Sequence, residues 1–459
     1  MTNKFSILLI VLVALGCSKK NTLEEKSLQA NTNSISNNLQ KQVRIMGHWY
    51  GEGKKELLVR EMVREFSLLN QDLSIELLFP QQFLKYKEES ELYFVECDTI
   101  EQMVRKNSWP FEVLFCDQER YKKIGQQLND PNWGEKYLVD FSNEPWFKHA
   151  HKDGLIETMN LKARYGNIMP GIVLEGITNI LFVSEYVENK LGIKVKDLDM
   201  TFDDFIAYAQ AVDNYNKTHS DKISFLSQQY KTVNDILFTQ LATSIYEGDK
   251  YESREKGIAA LKKAYAEFEK LSKYNPTKQY MDYSGYTYDE AQRILYDKQC
   301  LFTMNPTWMI LLWLKSNPEG TKQLRPCEIP SFAGKRSPFY SGFYQVIFVV
   351  AKNSKNPEAG KRFMKYMAST EIADKWVKYS SCPTGMRTSI SYTDFGQNKY
   401  EKFFQHIQKK YGNNQAEVSL PKLFLNNNTT ASIDYGLNEL LSGKIKADEA
   451  YQRTMRQIK

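Results

Sequence analysis

The sequence predicts an α/β fold of two or three domains, and three observations lead to this prediction. The chain has 459 residues, and at about 150 residues per domain this length corresponds to two or three domains. The 42% hydrophobic and 25% charged residues are close to the globular average, which excludes disordered, collagen-like and coiled-coil chains. After residue 40, the hydrophobic pattern forms a strand, a helix and a second strand, the order typical of a parallel sheet.

Charge and residue usage exclude several classes of function. The formal net charge is only +6 and no dense run of Lys and Arg occurs, which argues against a nucleic-acid-binding protein. Five histidines in the whole chain argue against a His-rich metal site. Aromatic residues make up 13% of the chain and are the most unusual feature of its composition.

The first residues predict the cellular compartment. Residues 1–16 are predicted to be a signal peptide, because a positive start precedes an apolar run that is too short to span a bilayer. The run ends in Ala14-Leu15-Gly16-Cys17, which resembles a bacterial lipobox and predicts a lipid on the Cys17 thiol. An ordinary signal peptide followed by a chance cysteine is the alternative. Residues 17–40 are rich in Asn, Ser and Gln and predict a flexible tether, so an exported protein anchored to the cell membrane is expected.

The first half of the folded part predicts a β-α-β unit and a further strand. Residues 43–50 form a short strand, and Leu73 to Phe79 alternates as a second strand. Between them, apolar residues recur near helical spacing at Leu57, Leu58, Met62, Phe66 and Leu69. Residues 111–116 form another strand, and a loop begins at Asp117, at the strand end where open α/β sheets bind ligands.

The second half alternates extended and helical segments. An extended stretch from Ile168 leads into a short helix over 184–192, and Thr201 with Asp204 forms a capping-box-like helix start. The remaining pattern predicts a helix over 256–274, a strand over 301–304 with an apolar helix after it, a buried strand over 343–350, a helix over 357–367, and two tail helices over 431–459 broken at Ser442-Gly443.

The order of these motifs resembles the extracellular solute-binding proteins of bacterial ABC importers, in the branch that mostly carries sugars and oligosaccharides. Each motif is weak alone, but six occur in the family's order after a lipoprotein-like signal. They are FEVLFCD, YGNIMPGIVLEGITNILFVSEYVENKLGIK, TFDDFIAYAQAV, LYDKQCLFTMNPTW, GFYQVIFVVAKNSKNPEAGKRFMKYMAST and LNELLSGKIKADEAYQRTMRQI.

The resemblance implies a two-lobed fold like that of type II periplasmic binding proteins, in which each lobe is a mostly parallel sheet flanked by helices. Residues 41–172 and 342–380 are expected to form the N-terminal lobe, and residues 175–340 and 384–459 the C-terminal lobe. Hinge crossings are expected near residues 171–175, 340–343 and 381–385. Glycines and prolines at these places suit segments that absorb rotation, although they also suit ordinary loops.

The resemblance also implies a saccharide site between the lobes. Sugars present apolar C–H faces and hydroxyl groups, so aromatic platforms and planar polar side chains are the expected partners. Packing in a core or a solvated loop is the alternative for each of them. The candidates follow strand ends or lie at the crossings: Trp49, Tyr50, Asp117, Glu119, Arg120, Glu175, Trp308, Tyr340, Phe343, Tyr344 and Arg387. The family commonly stacks a sugar ring on the tryptophan of the turn that contains Trp308.

Other functions remain open at this point. The same fold could report its closed form to a membrane kinase instead of a permease, and the ligand could be a peptide or a polyamine. No enzyme motif is evident, although a glycosidase with two carboxylates across a cleft stays possible. His149 and His151 form an HxH pair without an evident third ligand. We expect no cofactor and a monomer. Cys97, Cys116, Cys300, Cys327 and Cys382 lack zinc-like spacing, and Cys116 and Cys382 are either cleft residues or buried thiols.

Overall fold

A computed structural model of the chain describes residues 41–226, 231–246, 253–274, 300–332, 340–390, 398–412 and 434–458 apart from positions 52 and 88, and also residues 276, 335, 337, 415 and 416. The predicted signal peptide and the tether with Cys17 lie outside the described residues. Within these ranges, the side chains form two hydrophobic cores, each against its own sheet. No described helix combines the length and apolarity needed to cross a membrane.

The first lobe is built on a four-stranded sheet of order β2-β1-β3-β9. Its elements before the first crossing are β1 (Lys41–Met46), α1 (Lys54–Leu69), β2 (Leu73–Leu78), a 3₁₀ turn (Pro80–Gln82), α2 (Glu89–Lys106), β3 (Val113–Phe115), α3 (Gln118–Leu128), α4 (Trp133–Tyr137), α5 (Pro145–Ala150), α6 (Leu155–Thr158) and α7 (Leu161–Arg164). After the second crossing the chain adds β9 (Phe348–Val350), α14 (Pro357–Met367) and α15 (Thr370–Ser380).

The predicted β-α-β opening is confirmed. Strand β1 pairs in parallel with β2, with Lys41 opposite Leu73, and also in parallel with β3. Helix α1 buries Leu58, Met62 and Phe66 against the sheet. Leu57 and Leu69, in contrast, are 66% and 72% exposed, so not every apolar residue of the helical pattern faces the core. A helix that covers one sheet face buries a stripe of limited width, and these two residues fall outside it.

The second lobe is built on a six-stranded sheet of order β10-β8-β4-β6-β5, with β7 also paired to β4. Its elements are β4 (Glu175–Ser184), α8 (Glu185–Leu191), α9 (Phe202–Thr218), β5 (Ser224–Leu226), α10 (Lys231–Ile245), α11 (Arg254–Glu269), a 3₁₀ turn (Lys270–Tyr274), β6 (Cys300–Pro306), α12 (Met309–Ser316), α13 (Pro318–Lys322), β7 (Leu324–Cys327), β8 (Tyr340–Gln345), α16 (Asn398–Tyr411), β10 (Gln415–Ala416), α17 (Leu437–Leu441) and α18 (Ala447–Ile458).

The two-lobed α/β fold is confirmed, but the mostly parallel sheet is found only in the first lobe. In the described part of the second sheet, β4 pairs antiparallel with β6, β7 and β8, and only β5–β6 and β8–β10 are parallel. The long β4 carries the chain from the first lobe into the middle of the second sheet. The strands beside it run in the opposite direction, so the parallel expectation was wrong there.

The predicted strand over 343–350 is two strands of different sheets. Residues up to Gln345 belong to β8, which pairs with β4, whereas β9 begins at Phe348 and pairs antiparallel with β3. Val346 and Ile347 between them are fully buried, so the hydrophobic run is continuous even though the chain changes lobes. The expected lobe boundary at residue 342 therefore falls inside a strand of the second sheet.

The three crossings lie side by side and are tightly packed. The Gly176 N–H donates to the Pro383 carbonyl at 2.6 Å, and the Gly385 N–H donates to the Val173 carbonyl at 3.0 Å. A Cβ atom at Gly171 would lie 2.1 Å from the carbonyl oxygen of Phe348. The close approach of the two backbone segments therefore requires glycine at position 171, independently of any rotation at the hinge.

His151 joins two of these crossings to the first lobe. Its ring is 2% exposed, and its Nδ1 lies 2.7 Å from the Phe147 carbonyl while its Nε2 accepts the Val173 N–H at 3.1 Å. Its backbone also forms a bridge with Met386. Since both ring nitrogens have partners, His151 serves as a structural residue, and burial lowers its pKa from 6.5 to about 4.

This neutral histidine predicts a loss of stability at mildly acidic pH. Because the unfolded chain binds the proton more readily than the folded chain, the free energy of unfolding should fall by about 3 kcal/mol between pH 6.5 and pH 4. Urea unfolding across this range measures the effect. His151→Gln should flatten the dependence, whereas His149→Gln, a change at the exposed neighbouring histidine, should leave it unaltered. An equal slope in His151→Gln and the unaltered protein would contradict the assignment.

Candidate functional site

A cleft of about 600 Å³ separates the two lobes. One wall comes from the start of α3 in the first lobe, and the other from β4, β6, β8 and the turn after β6 in the second lobe. Its volume lies within the range of about 300–1,000 Å³ that is typical of small-molecule sites. The described residues that line it are Asp117, Gln118, Glu119, Lys122, Ile177, Asn179, Pro306, Trp308, Phe343 and Gln345.

Three of the predicted site residues meet in this cleft: Asp117, Trp308 and Phe343. Glu119, which the sequence also suggested, lines it too. One aromatic residue of the second crossing was expected to face the cleft, and Phe343 occupies that position. The cleft therefore combines carboxylates from one lobe with aromatic rings from the other.

The other predicted residues lie outside the cleft lining. Trp49, Tyr340 and Tyr344 are 4% exposed or less and pack in the hydrophobic cores. Tyr50 is 48% exposed and packs against Phe79 with 5.7 Å between ring centroids. Arg387 is exposed and pairs with Asp153. Aromatic residues at strand ends suit a core as well as a site, so their position along the chain did not separate the two roles.

Asp117 is held in place by its own helix and by a buried arginine. Its side chain caps α3 by accepting the Arg120 N–H at 2.8 Å, and its other oxygen lies 2.7 Å from the Arg120 guanidinium. Arg120 is itself 6% exposed and lies behind the cleft wall.

The charge network continues behind Arg120. The Arg120 guanidinium donates to one Glu96 oxygen at 2.6 and 2.8 Å, and the other oxygen lies 3.1 Å from His48 Nδ1. Burial raises the pKa of Glu96, but the hydrogen bond with His48 and the nearby Arg120 outweigh it, so this pKa lies below its usual value. The network fixes the side chain of Asp117 rather than leaving it as a mobile surface charge.

The second wall presents aromatic and amide groups. Trp308 follows β6 at the start of α12, and the Thr307 N–H before it donates to the Thr178 carbonyl at 3.0 Å. The Asn179 amide donates to the Ser341 hydroxyl at 2.8 Å. A partly exposed tryptophan beside planar amides is the arrangement that can stack on a sugar ring and bind its hydroxyls.

Four polar lining residues were missed from the sequence: Gln118, Lys122, Asn179 and Gln345. Gln118 and Lys122 are four residues apart and share one face of α3, so extending the helix from its Asp117 cap would have found them. Asn179 lies within β4 and Gln345 ends β8, and both strands are largely buried. A polar residue in such a strand is a usable signal, since a buried amide needs a partner.

The cysteines and the acidic clusters show no sign of chemistry in the described residues. Cys116 and Cys382 are fully buried free thiols, so neither lines the cleft. Burial raises the pKa of Cys382 to about 11 and that of Cys116 well above its usual value. The ligand atoms of Asp199, Glu328 and His406 lie within 4.8 Å of one another. The ammonium of Lys410 lies 2.7 Å from an oxygen of each carboxylate and offsets one of their two negative charges.

The fold and the position of the cleft are those of a two-lobed, periplasmic-binding-protein-like fold. Residues 185–403 match the family model described as bacterial extracellular solute-binding protein, which confirms the resemblance stated from the sequence. The match spans just under half of the chain. Members of this family are binding proteins, and the family name places them outside the cell. No match is found among curated protein sequences.

Three solved structures illustrate the likeness in fold. The putative binding protein MsmE of Bacillus subtilis, in an open conformation, is 16% identical, with 92% of this chain and 98% of that chain covered and a TM-score of 0.59. The GacH receptor of Streptomyces glaucescens, solved unliganded and with acarbose, is 15% identical over 92% and 98%, with a TM-score of 0.58. Maltose-bound MalE3 of T. maritima is 12% identical over 91% and 98%, with a TM-score of 0.59.

Proposed function

We propose that the protein is the lipid-anchored solute-binding protein of an ABC importer, which captures a saccharide between its lobes and delivers it to a membrane permease. The observation that carries this proposal is the cleft in which Trp308 and Phe343 face Asp117 and Lys122. The ring of Trp308 supplies a stacking surface, and the carboxylate and amides supply partners for hydroxyl groups. In this proposal, residues 1–16 direct export and Cys17 carries the lipid.

The small net charge of the cleft favours a neutral ligand. The lining holds two carboxylates, Asp117 and Glu119, and one ammonium, Lys122, while Arg120 behind the wall is shared between Asp117 and Glu96. A polyamine carries several positive charges and would need more than the single excess carboxylate of the described lining. The acarbose-bound and maltose-bound structures of the same fold support a saccharide.

Delivery would follow from closure of the lobes. A ligand that contacts both walls binds the closed form more tightly than the open form and shifts the population toward it. The closed form is then the one that the permease recognises. Each lobe has its own hydrophobic core, so the two lobes can move as units about the crossings that join them.

Replacing Trp308 by alanine tests the site. We expect Trp308→Ala to weaken saccharide binding at least 10-fold, because it removes the stacking surface, which contributes about 0.5–1.5 kcal/mol beyond its buried area. Calorimetric titration with maltose, acarbose and a panel of oligosaccharides, peptides and polyamines measures the effect.

Trp146→Ala is the matched control, since Trp146 is also partly buried but packs on Phe141 in the first lobe, away from the cleft. It should bind like the unaltered protein. Binding of peptides or polyamines without any saccharide would overturn the proposed ligand class.

A further inference from the structure

Gln345 is the lining residue whose orientation the structure determines most fully. It is the last residue of β8, lines the cleft, and is only 6% exposed. Its amide has a donor end and an acceptor end, and these would select opposite groups on a ligand. Which end faces the cleft therefore affects specificity.

Glu175 determines the orientation of this amide. It lies directly opposite Gln345 in the β4–β8 pairing, and its Oε2 accepts the Gln345 Nε2–H at 2.9 Å. An ionised carboxylate only accepts hydrogen bonds, so the nitrogen of the amide must face it. The Gln345 carbonyl oxygen is then the end that remains for the cleft.

Lys55 is the ion-pair partner of this carboxylate. Its Nζ lies 2.8 Å from Glu175 Oε1, and the two residues are 5% and 4% exposed. A buried charge needs such a partner, because an unpaired charge in the protein interior is strongly destabilising. Trp49 and Trp376 flank the ammonium, with ring centroids at 5.1 and 5.7 Å from Nζ.

We propose that Lys55 and Glu175 are positioning residues that fix the Gln345 amide, so that its carbonyl oxygen accepts a hydrogen bond from a ligand hydroxyl in the cleft. This inference rests on the proposed function and adds a specificity determinant to it. The ligand must present a donor at this point, which suits a neutral saccharide and disfavours a carboxylate there. Glu175, expected from the sequence to contact the ligand, acts in this proposal through Gln345.

A set of variants tests the proposal by titration with maltose and acarbose. Gln345→Met removes the acceptor while retaining the shape of the side chain, and should weaken binding about 10-fold. The double variant Lys55→Met/Glu175→Gln removes both charges together, so no buried charge is left unpaired, but it frees the amide to turn. It should weaken binding by a similar factor, and adding Gln345→Met to it should cause little further loss.

The outcomes separate the two proposals. If the unaltered protein binds no saccharide, the proposed function fails and this inference fails with it. If the unaltered protein binds a saccharide, but Gln345→Met or the double variant binds it equally well, only the inference is overturned. Additive losses in the triple variant would also overturn it, because independent structural damage adds whereas positioning through Gln345 does not.

A measurement on the unaltered protein removes dependence on folding of the double variant. The side-chain amide protons of Gln345 can be assigned in a ¹⁵N-correlated spectrum by their absence in Gln345→Met. We expect slow exchange and little change in their shifts when maltose or acarbose is bound, since Nε2 stays on Glu175. Large shifts that indicate a direct bond from the ligand to Nε2–H would overturn the proposal.

Discussion

Arg120→Met is expected to destabilise the protein by about 3–5 kcal/mol, because it leaves two carboxylates without their counter-charge. Glu96 is 1% exposed and receives two guanidinium hydrogen bonds, and Asp117 receives a third. Methionine fills much of the volume but supplies no donor. Chemical unfolding followed by tryptophan fluorescence measures the loss.

The same variant should also weaken ligand binding, since the Asp117 carboxylate would no longer be held at the cleft wall. Arg387→Met is the matched control: Arg387 pairs with Asp153 at the exposed surface, and such pairs contribute about 1 kcal/mol or less. Similar losses of stability in the two variants would contradict the prediction, because they would show that the buried Arg120 network contributes no more to stability than an exposed ion pair.

Gly342→Ala is expected to destabilise the second sheet by about 3 kcal/mol, the upper part of the usual range for an overpacked core. The new Cβ would lie 2.4 Å from the Ile177 carbonyl oxygen and 3.1 Å from the Thr178 Cα, both backbone atoms of β4. Relief of the clash requires β4 and β8 to separate, which would also displace Phe343 in the cleft. Thermal unfolding and saccharide titration measure the two effects.

Gly360→Ala provides the contrast. There the Cβ would lie 2.8 Å from a buried methyl group of Val350 and 3.3 Å from the Glu112 carbonyl oxygen, and the position is inside helix α14. The shortest contact is longer than the 2.4 Å at Gly342, and alanine favours a helix interior by about 1 kcal/mol over glycine, which offsets part of the cost. We therefore expect a much smaller change. If Gly342→Ala unfolds at the same temperature as the unaltered protein, the close approach of β4 and β8 is not required.

Local sequence signals predicted the individual elements well. The Thr201–Asp204 capping box is present with both reciprocal hydrogen bonds, and α14 spans the predicted residues 357–367. The break between the tail helices is at Ser442-Gly443, as predicted. Helix starts and ends depend on capping residues and on the spacing of apolar residues within a few positions, so they can be read directly from the sequence.

Part of the site was also predicted, because the ends of strands can be read from the local sequence. Asp117 and Trp308 follow strand ends, and both lie in the cleft. The residues that were missed, such as Asn179 and Gln345, come to lie on one wall of the cleft only when β4 pairs with β8. Trp49 was assigned to the ligand, yet it packs beside the Lys55 ammonium in the first core. An aromatic side chain has the same sequence signature in a core and in a cleft.

By itself, then, the sequence determined the α/β class, most helix and strand positions, the family resemblance and part of the cleft. Tertiary structure alone decided where the chain changes lobes within residues 343–350, the antiparallel pairing around β4, and the Lys55–Glu175–Gln345 contacts. The physical reason is the separation along the chain over which each interaction acts. Caps and periodicity act within a few residues, whereas these strand pairings and the Lys55–Glu175–Gln345 contacts join residues more than a hundred positions apart.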